Sequence, residues 1–414
     1  MSQVEAINVD LRHAILMIAR ALDYVGIDDY NHGHRVGYIA YECAKKLEWA
    51  ESRQEFVFFA GLLHDCGVSS GSEQKRLLGD LDPKGPKGHC MRGHQFLDNC
   101  VVLRPFAEAC RYHHTPWHKL KDLDIDPVDR DAAALIFLAD RVDTIRKGLV
   151  EGVHPDTIIL HSQRIVEEVQ ARSGTLFKPE YCQALVELVE LEGFWYSMNQ
   201  EFIEDIGISL NSSGTYDMRL SIAEVINLAM FLSRIGDAKS PFTSHHSERV
   251  ALIASELSAE MNLSEWDQKQ IQVAGLLHDV GKLGVPDEIL EKKGKLDDSE
   301  FARMKRHIVD TRMALRWCFK DSPIPDWAAN HHERLDGTGY PYRLTEADLD
   351  LPSRIMAVAD IFQALAQKRP YRERMEYPEI LKIMTPLAAN GKIDGDVFGV
   401  IQNRIDDYYE LATG

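Results

Sequence analysis

The sequence predicts an all-α protein with two helical-bundle domains in tandem. Apolar residues recur at spacings of three and four along most of the chain, which is the period of an amphipathic helix. Runs of alternating β-branched residues, which would indicate strands, are nearly absent. The length of 414 residues exceeds what one hydrophobic core usually supports, and one ordered set of polar residues occurs in each half.

Six segments show the helical period most clearly. In chain order they are residues 12–25, 35–50, 181–195, 219–235, 249–262 and 353–368. Between the third and the fourth, the stretch GISLNSSGTYDMRLS at 207–221 interrupts the period with Asn, Ser and Gly, which favour turns. We therefore expect an N-terminal domain at residues 1–208 and a C-terminal domain at residues 209–414.

Composition and charge exclude several classes of function. The net charge of -18 argues against non-specific binding of DNA or RNA, which needs a broad basic surface. The first residues lack the features of a signal peptide, and no apolar run reaches the length of about 18 residues that a membrane span needs. We therefore expect a cytoplasmic protein. The seven cysteines form no CxxC pair, and we expect reduced thiols.

The hexapeptide AGLLHD occurs twice, at Ala60–Asp65 and at Ala274–Asp279. It belongs to a longer series in which each half presents a His, a His-Asp pair, a His, a His-His pair and an Asp. The first half offers His32, His64, Asp65, His94, His113, His114 and Asp140, and the second offers His246, His278, Asp279, His307, His331, His332 and Asp360. The distance between partners drifts only from 213 to 220 residues, as duplication of one domain predicts.

The repeated residue types point to metal chemistry. Imidazole and carboxylate groups are ligands of iron, manganese, zinc, nickel and cobalt. Seven such groups in each half exceed what one ion needs, so the series predicts a two-metal centre in which a carboxylate bridges ions about 3.5 to 4 Å apart. Because the ligands are widely spaced in the sequence, they must converge from several helices of a bundle. Such a centre activates water and suits hydrolysis of a phosphoester.

Three segments of the second half carry a more specific signal. They are HDVGKLGVPDEIL at His278–Leu290, HHERLDGTGYP at His331–Pro341 and ADIFQALAQKRPYR at Ala359–Arg372. In this order they resemble the signature blocks of the HD-GYP subgroup of the HD superfamily, whose members are metal-dependent phosphohydrolases. The resemblance spans residues 216–414, and the first half resembles a second HD domain that lacks the GYP block.

The resemblance implies an activity and its cofactors. HD-GYP proteins typically hydrolyse cyclic di-GMP to linear pGpG, in some cases on to GMP, and some members prefer 3′,3′-cyclic GMP-AMP. We therefore expect a cyclic di-GMP phosphodiesterase, with 3′,3′-cyclic GMP-AMP as the alternative substrate. We also expect two divalent ions in the C-terminal domain, which are iron, manganese or nickel. The expected partners are the dinucleotide, a second copy of the chain and diguanylate cyclase proteins.

The resemblance also assigns roles by position. The implied metal ligands are His246, His278, Asp279, His307, His331, His332 and Asp360, with Asp279 as the bridging group. His278, Asp279 and Lys282 form the implied catalytic group, in which Lys282 neutralises charge on the scissile phosphate. The implied substrate contacts are Gly339, Tyr340, Pro341, Arg369 and Arg372. The two arginines would hold phosphates through their planar fork geometry.

Two residues of the second half depart from the family pattern. Members with a third metal carry a Glu four residues before the first His, and Phe242 stands there, which favours a two-metal centre. The third block usually has a second Asp, where this chain has Gln363. An amide is neither a base nor a strong metal ligand, so we expect an altered contact around the ligands or to a guanine base.

The first half keeps the ligand series but not the cations that would handle a substrate. Asp143 stands where the second half has Gln363. The positions that match Lys282, Arg369 and Arg372 hold Val68, Leu149 and Gly152. We therefore expect that this half can bind metal through its seven ligands, and that its role is structural, dimerising or sensory.

Two other functions are compatible with these residues. The protein could bind a cyclic dinucleotide, or dock onto a synthase, without turnover, and Gln363 is the feature of the second half that favours this. Alternatively, the first half could carry out another phosphohydrolase reaction, such as one on nucleotides. Substitution of His64 and Asp65 would abolish that reaction while leaving cyclic dinucleotide turnover intact.

Overall fold

The structure is a computed structural model that describes residues 7–23, 31–68, 73, 87–210, 216, 218–239, 245–368 and 374–414. The predicted all-α class is confirmed, because the described residues form helices joined by turns and no β-strand. None of the helices in these ranges is long and apolar enough to cross a membrane. Three residues singled out in the sequence lie outside the described ranges, namely Phe242, Arg369 and Arg372.

The chain divides into two compact units. The N-terminal unit is Asp10–Met218, and the C-terminal unit is Arg219–Gly414 together with Met1–Val9. Residues 7–9 join the C-terminal unit through hydrogen bonds, since the Leu220 amide donates to the Val9 carbonyl at 2.9 Å and the Asn8 side chain donates to Asp321 at 3.1 Å. The two copies of the ligand series therefore lie in different units.

The N-terminal unit is a bundle of helices around an apolar core. Its α-helices are α1 Leu11–Asp23, α2 His32–Lys46, α3 Glu51–Leu63, α4 Lys87–Asp98, α5 Ala107–Tyr112, α6 Trp117–Leu120, α7 Pro127–Val150, α8 Ser162–Gln170, α9 Pro179–Val189, α10 Glu192–Tyr196 and α11 Gln200–Ser209. Two short 3-10 helices also occur, at Arg104–Phe106 and Pro155–Leu160.

The C-terminal unit is a second bundle in which the same ligand series sits on corresponding helices. Its α-helices are α12 Ile222–Lys239, α13 His246–Glu260, α14 Glu265–Leu277, α15 Asp287–Leu290, α16 Asp298–Cys318, α17 Ile324–Ala329, α18 Leu351–Ala366, α19 Tyr377–Ala389, α20 Gly395–Asn403 and α21 Ile405–Thr413. A 3-10 helix at Val280–Gly284 follows the His-Asp pair.

A close helix contact explains the glycine in each AGLLHD. In the C-terminal unit, a Cβ added to Gly275 on α14 would lie 2.6 Å from the Cα of Ala251 on α13. In the N-terminal unit, a Cβ added to Gly61 on α3 would lie 2.7 Å from the Cα of Gly37 on α2. No side chain fits at such distances, so glycine lets the helix that precedes the His-Asp pair approach the helix that begins at the first His.

Side-chain caps define where three helices of the C-terminal unit begin. Ser264 precedes α14, Asp297 precedes α16 in a reciprocal capping box with Glu300, and Asp350 precedes α18. In each case the side-chain oxygen accepts a hydrogen bond from a first-turn backbone N–H, which stabilises a helix by about 1 kcal/mol. These helices lead to the His-Asp pair, carry His307 and carry Asp360, so the caps help to position the candidate ligands.

Candidate metal centre

Three histidines of the C-terminal unit are held in the same way. His278, His307 and His331 each donate Nδ1–H to the backbone carbonyl three residues earlier, at 2.6, 2.5 and 2.7 Å. A carbonyl oxygen can only accept, so Nδ1 carries the proton and Nε2 presents its lone pair. Each ring is therefore fixed in the tautomer that binds a metal through Nε2.

His246 reaches the same tautomer through a side chain. Its Nδ1 donates to Oε1 of Gln363, which is fully buried on α18. In the N-terminal unit, Nδ1 of His32 donates to Oδ2 of Asp143 at 2.8 Å in the matching place. The outer contact that the sequence led us to expect as altered is therefore kept, with an amide oxygen in place of a carboxylate oxygen.

Asp279 lies between two groups of these nitrogens. Its Oδ2 is 3.3 Å from Nε2 of His278 and 3.6 Å from Nε2 of His246. Its Oδ1 is 3.5 Å from Nε2 of His307 and 3.8 Å from Nε2 of His331. One carboxylate therefore offers an oxygen to each of two neighbouring positions, which is the arrangement of a bridging ligand.

Asp360 completes one of the two positions. Its Oδ1 is 3.4 Å from Nε2 of His246 and 3.8 Å from Nε2 of His278, and its Oδ2 is 4.0 Å from Nδ1 of His332. Two ligand triplets result, each with its donor atoms within 4.8 Å of one another: His246, His278 and Asp360, and His307, His331 and His332. The structure thus brings together all seven candidate ligands of the second half.

Buried atoms at this centre fit a bound cation. Among the described residues, Nε2 of His278, His307 and His331 and Oδ1 of Asp279 are buried without a hydrogen-bond partner. A buried polar atom left unpaired costs about 1 to 3 kcal/mol, so native proteins rarely gather four of them at one point. Divalent ions in the two positions would satisfy these atoms.

The protonation states are also those of metal ligands. Burial lowers the pKa of His307 to about 3, with repulsion from Lys282 adding to the effect. Burial by itself would raise the pKa of Asp279, but the positive charges of His278 and Lys282 outweigh it and hold that pKa well below its usual range. Neutral imidazole and ionised carboxylate are the forms that bind divalent metals.

His246 behaves differently because it faces both carboxylates. Burial lowers its pKa, but contacts with Asp279 and Asp360 outweigh burial and raise the pKa to about 9. The imidazolium proton thus supplies part of the positive charge that the two carboxylates attract. A divalent ion bound there would displace this proton, as metal binding to histidine generally does.

A cavity of about 480 Å³ opens beside the two triplets. Asp279, His307, His332 and Asp360 contribute to its wall, together with Lys282. The Lys282 ammonium lies 2.5 Å from Oδ2 of Asp279, and its side chain is 30% exposed. A molecule in this cavity would therefore meet the candidate ligands and a cation at the same time.

The GYP loop presents Tyr340 to this cavity. The Tyr340 ring lies 4.8 Å from the ring of His332 and contributes to the cavity wall, whereas Gly339 and Pro341 do not. Gly339 shapes the loop instead, because a Cβ there would lie 2.5 Å from the Cα of Glu333. The buried Glu333 carboxylate accepts hydrogen bonds from two backbone amides further along the loop, at 2.7 and 3.0 Å. Glu333 was not singled out in the sequence.

Two more residues near the centre escaped the sequence analysis. Asp237 contributes to the cavity wall, and burial raises its pKa to about 7. Asp23 stands at the matching position of the N-terminal unit, so extension of the repeat would have found the pair. Thr311 accepts from the Gly281 amide at 2.9 Å and donates to the His278 carbonyl at 3.1 Å, which ties the His-Asp segment to α16.

The N-terminal unit gathers most of its candidate ligands as well. Two groups form, each with its donor atoms within 4.8 Å: His32, His64 and Asp140, and Asp65, His89, His113 and His114. The second group contains His89, whereas the sequence predicted His94. Nε2 of His94 is instead bonded to Oε1 of Glu108 at 2.8 Å, and its side chain is partly exposed.

The prediction of His94 is wrong for a geometric reason. A Cβ on Gly67 would lie 2.0 Å from the His89 carbonyl, and a Cβ on Gly281 would lie 2.0 Å from the His307 carbonyl, so His89 is the counterpart of His307. Five residues further along a helix, a side chain projects about 140° away. His89 also shares its offset of 218 residues from its partner with the His113 and His331 pair, a signal that was available in the sequence.

Sequence comparison agrees with this duplicated geometry. Residues 29–145 match a family described as HD domain, and residues 230–397 match a second family with the same description. The chain belongs to the HD-domain family. Each matched range lies inside one of the two units, so the predicted arrangement of two HD domains in tandem is confirmed.

Relatives share the tandem HD domains over nearly their whole length. The chain is 44% identical over 405 residues to the 3′3′-cGAMP-specific phosphodiesterase 1 of Vibrio cholerae, covering 98% of this chain and 94% of the relative. It is 34% identical to the 3′3′-cGAMP-specific phosphodiesterase 3 of the same organism, covering 97% and 96%. A cyclic di-GMP phosphodiesterase of Pseudomonas aeruginosa is 36% identical over 168 residues, which are 40% of each chain.

The fold of the tandem HD protein also matches a solved structure. A crystal structure of a cyclic GMP-AMP specific phosphodiesterase of V. cholerae superposes with a TM-score of 0.65 at 25% identity, covering 96% of this chain and 98% of that one. The architecture with two HD domains is therefore shared along the whole chain.

Proposed function

We propose that this protein hydrolyses a cyclic dinucleotide in its C-terminal HD domain and prefers 3′,3′-cyclic GMP-AMP. The observation that carries the proposal is the position of Asp279, with one oxygen toward each ligand triplet, beside a cavity of about 480 Å³. Divalent ions held there by the seven ligands would supply a water acidic enough to attack phosphorus at neutral pH. Attack breaks one P–O3′ bond and leaves a linear dinucleotide with a 5′-phosphate.

Lys282 is suited to meet the phosphate. It is preorganised beside Asp279 at the cavity wall, where an ammonium group stabilises the negative charge that grows on phosphate oxygens in the transition state. The chain carries a net charge of -18, so a dianionic substrate needs local cations. Lys292, which also lines the cavity and pairs with Glu300, is a second cation on this wall.

Cavity size favours the C-terminal HD domain as the catalytic one. Its cavity of about 480 Å³ is within the range of about 300 to 1,000 Å³ that small-molecule sites occupy. The cavity beside His32, His64 and Asp65 in the N-terminal HD domain has about 20 Å³, which is room for about one water. This difference argues against the alternative of a separate phosphohydrolase reaction in the N-terminal domain.

The relatives favour 3′,3′-cyclic GMP-AMP over cyclic di-GMP. Both V. cholerae proteins that align along almost the whole chain are named as specific for 3′3′-cGAMP. The cyclic di-GMP phosphodiesterases of P. aeruginosa and Thermotoga maritima align with 40% and 47% of the chain. The alternative substrate of the sequence analysis is therefore better supported than cyclic di-GMP, which was the main expectation.

The structure removes the main reason for proposing a binding module without turnover. That hypothesis depended on Gln363 as a lost contact, whereas its amide oxygen accepts the Nδ1–H of His246. The ligands and the cavity-lining Lys282 are those that hydrolysis needs.

Comparison of two substrates tests the proposal. Purified protein, reconstituted with manganese under reducing and anaerobic conditions, is incubated with 3′,3′-cyclic GMP-AMP or with cyclic di-GMP, and linear products are separated by chromatography. We expect kcat/KM at least about tenfold higher for 3′,3′-cyclic GMP-AMP, which corresponds to about 1.4 kcal/mol of transition-state binding. Equal or higher kcat/KM for cyclic di-GMP would reverse the substrate assignment, and tight binding of both without product would favour the binding module.

A further inference from the structure

Three donor atoms of the N-terminal HD domain form a nearly equilateral triangle. Oδ1 of Asp65 is 3.5 Å from Nε2 of His89 and 3.5 Å from Nε2 of His113, and these two nitrogens are 3.4 Å apart. Ligand atoms held at about 2.1 Å by a tetrahedral ion are about 3.4 Å from one another. Oδ1 of Asp65 is buried and, among the described residues, has no hydrogen-bond partner. The triangle is therefore one face of a site for a single ion.

A thiol lies beside this triangle and has no counterpart in the C-terminal HD domain. Sγ of Cys90 is 3.4 Å from Nε2 of His89, and the side chain is buried. Ile308 occupies the matching position in the other domain. Thiolate and imidazole together favour zinc, whereas a site of imidazole and carboxylate alone also suits iron and manganese.

The second metal position of the N-terminal HD domain is altered by an arginine. Nη2 of Arg141 lies 2.6 Å from Oδ2 of Asp140, and the guanidinium is buried. Ile361 stands at the matching position of the C-terminal domain, where it lines the cavity. A fixed positive charge therefore neutralises the carboxylate that would bind the second ion.

Two more arginines surround the same position. Arg35 and Arg146 hold Asp143 at 2.7 and 2.6 Å, and Asp143 in turn holds His32. In the C-terminal domain the residue matching Asp143 is the neutral Gln363. A divalent ion at His32, His64 and Asp140 would be repelled by three nearby guanidinium groups, because like charges repel strongly where water is excluded.

We propose that the N-terminal HD domain binds one zinc ion rather than two metals, through Asp65, His89, His113 and the Cys90 thiolate, with His114 at the rim. Arg141 takes the place of the second ion. The zinc site is structural, because the adjoining cavity of about 20 Å³ leaves no room for a dinucleotide. This inference stands apart from the proposed function, since it concerns the other domain and is read from metal content.

Metal content of the full chain tests the number of ions. Protein stripped with a chelator and reconstituted with zinc chloride is assayed by elemental analysis. We expect the Asp65→Ala, His113→Ala variant to contain one zinc per chain less than the unaltered protein. His94→Ala, on the same helix as His89 but outside the group, is the matched control and should lose none. Loss of no zinc, or of two, would overturn the proposal.

Substitution of Arg141 tests its role as the second cation. Arg141→Ile introduces the residue found at the matching position of the C-terminal domain, and we expect one additional zinc per chain. Arg141→Lys keeps the charge and should bind no additional ion. An unchanged zinc content in the Arg141→Ile variant, with far-ultraviolet circular dichroism like that of the unaltered chain, would show that Arg141 does not exclude an ion.

Cobalt substitution tests the thiolate. Co²⁺ bound by a thiolate has an intense near-ultraviolet charge-transfer band that Co²⁺ bound only by nitrogen and oxygen lacks. We expect this band in the cobalt-reconstituted chain and its loss in Cys90→Ser, while Cys182→Ser keeps it. Absence of the band from the unaltered chain, or its persistence in Cys90→Ser, would rule out Cys90 as a ligand.

Discussion

Nδ1 of His246 donates a hydrogen bond to Oε1 of Gln363, as Nδ1 of His32 does to Asp143 in the other HD domain. The acceptor differs in charge but has the same function, which is to keep the proton on Nδ1 and the lone pair on Nε2. In the N-terminal domain the carboxylate is accompanied by Arg35 and Arg146, whereas the neutral amide needs no such pair. The two domains thus satisfy one geometric requirement with different electrostatics.

Removal of the Gln363 acceptor should weaken metal binding. Gln363→Leu keeps the volume but leaves Nδ1 of His246 without its partner, so we expect metal affinity to fall by about 10- to 100-fold. Titration of metal-free protein with Mn²⁺ measures this. Gln363→Glu, which keeps an oxygen acceptor at the same length, should retain most of the affinity. A Leu variant that binds Mn²⁺ as tightly as the unaltered chain would contradict this role.

Lys282 should affect turnover more than metal content. Lys282→Val copies the residue at the matching position of the N-terminal domain, Val68. We expect kcat for the cyclic dinucleotide to fall by about 10²- to 10³-fold, as when one preorganised electrostatic donor is lost. Metal content should not fall, because the change removes a cation that competes for Asp279. Steady-state kinetics and elemental analysis on one preparation separate the two effects, and lost metal or unchanged kcat would refute this assignment.

Gly339 should be intolerant of any side chain. In Gly339→Ala the new methyl would lie 2.4 Å from the Arg334 amide nitrogen and 2.5 Å from the Cα of Glu333, so the loop and Tyr340 must move. We expect an increase in KM and a loss of about 1 to 3 kcal/mol in the free energy of unfolding.

A second glycine provides the matched control for this loop. A Cβ on Gly399, inside helix α20, would meet no atom within 4 Å. Gly399→Ala should therefore leave KM unchanged and stabilise the protein by about 0.5 to 1 kcal/mol. Equal effects of the two substitutions in kinetics and thermal unfolding would count against a special role for Gly339.

Metal removal should destabilise the protein. The buried nitrogens of His278, His307 and His331 lose the ions that satisfy them, and two buried carboxylates lose their counter-charge. At metal concentrations of about 100 to 1,000 times the dissociation constant, binding contributes about 3 to 4 kcal/mol. Calorimetry before and after chelation should show a lower unfolding temperature that added Mn²⁺ restores. An unchanged unfolding temperature would argue against a metal centre.

The helical class and the ligands of the C-terminal HD domain could be predicted because both depend on local rules. Apolar spacing is enough to indicate helices, and seven matched residues in two halves are unlikely to recur without a shared site. The Nδ1 contacts of His278, His307 and His331 follow from helix geometry, since each partner is a carbonyl three residues earlier. The predicted homodimer, the docking to diguanylate cyclase proteins and the cytoplasmic location stay predictions.

Other features depend on contacts between distant residues and could not be read from local pattern. The likeness of MRGH to MKRH favoured His94, whereas packing of Gly67 on the His89 carbonyl selects His89. The pairing of Arg141 with Asp140 looks like an ordinary sequence neighbour until both side chains are seen buried together. Such a pair changes how many ions the site can hold without changing a single ligand.

The most direct test of the central claim uses two histidines that the sequence alone treats as equivalent. The His307→Ala and His94→Ala variants are incubated with 3′,3′-cyclic GMP-AMP and Mn²⁺, and the linear product is quantified by chromatography. Hydrolysis in the C-terminal HD domain predicts that His307→Ala abolishes product formation and that His94→Ala leaves it at the level of the unaltered protein. Product formation by His307→Ala at that level would contradict the assignment of the active site.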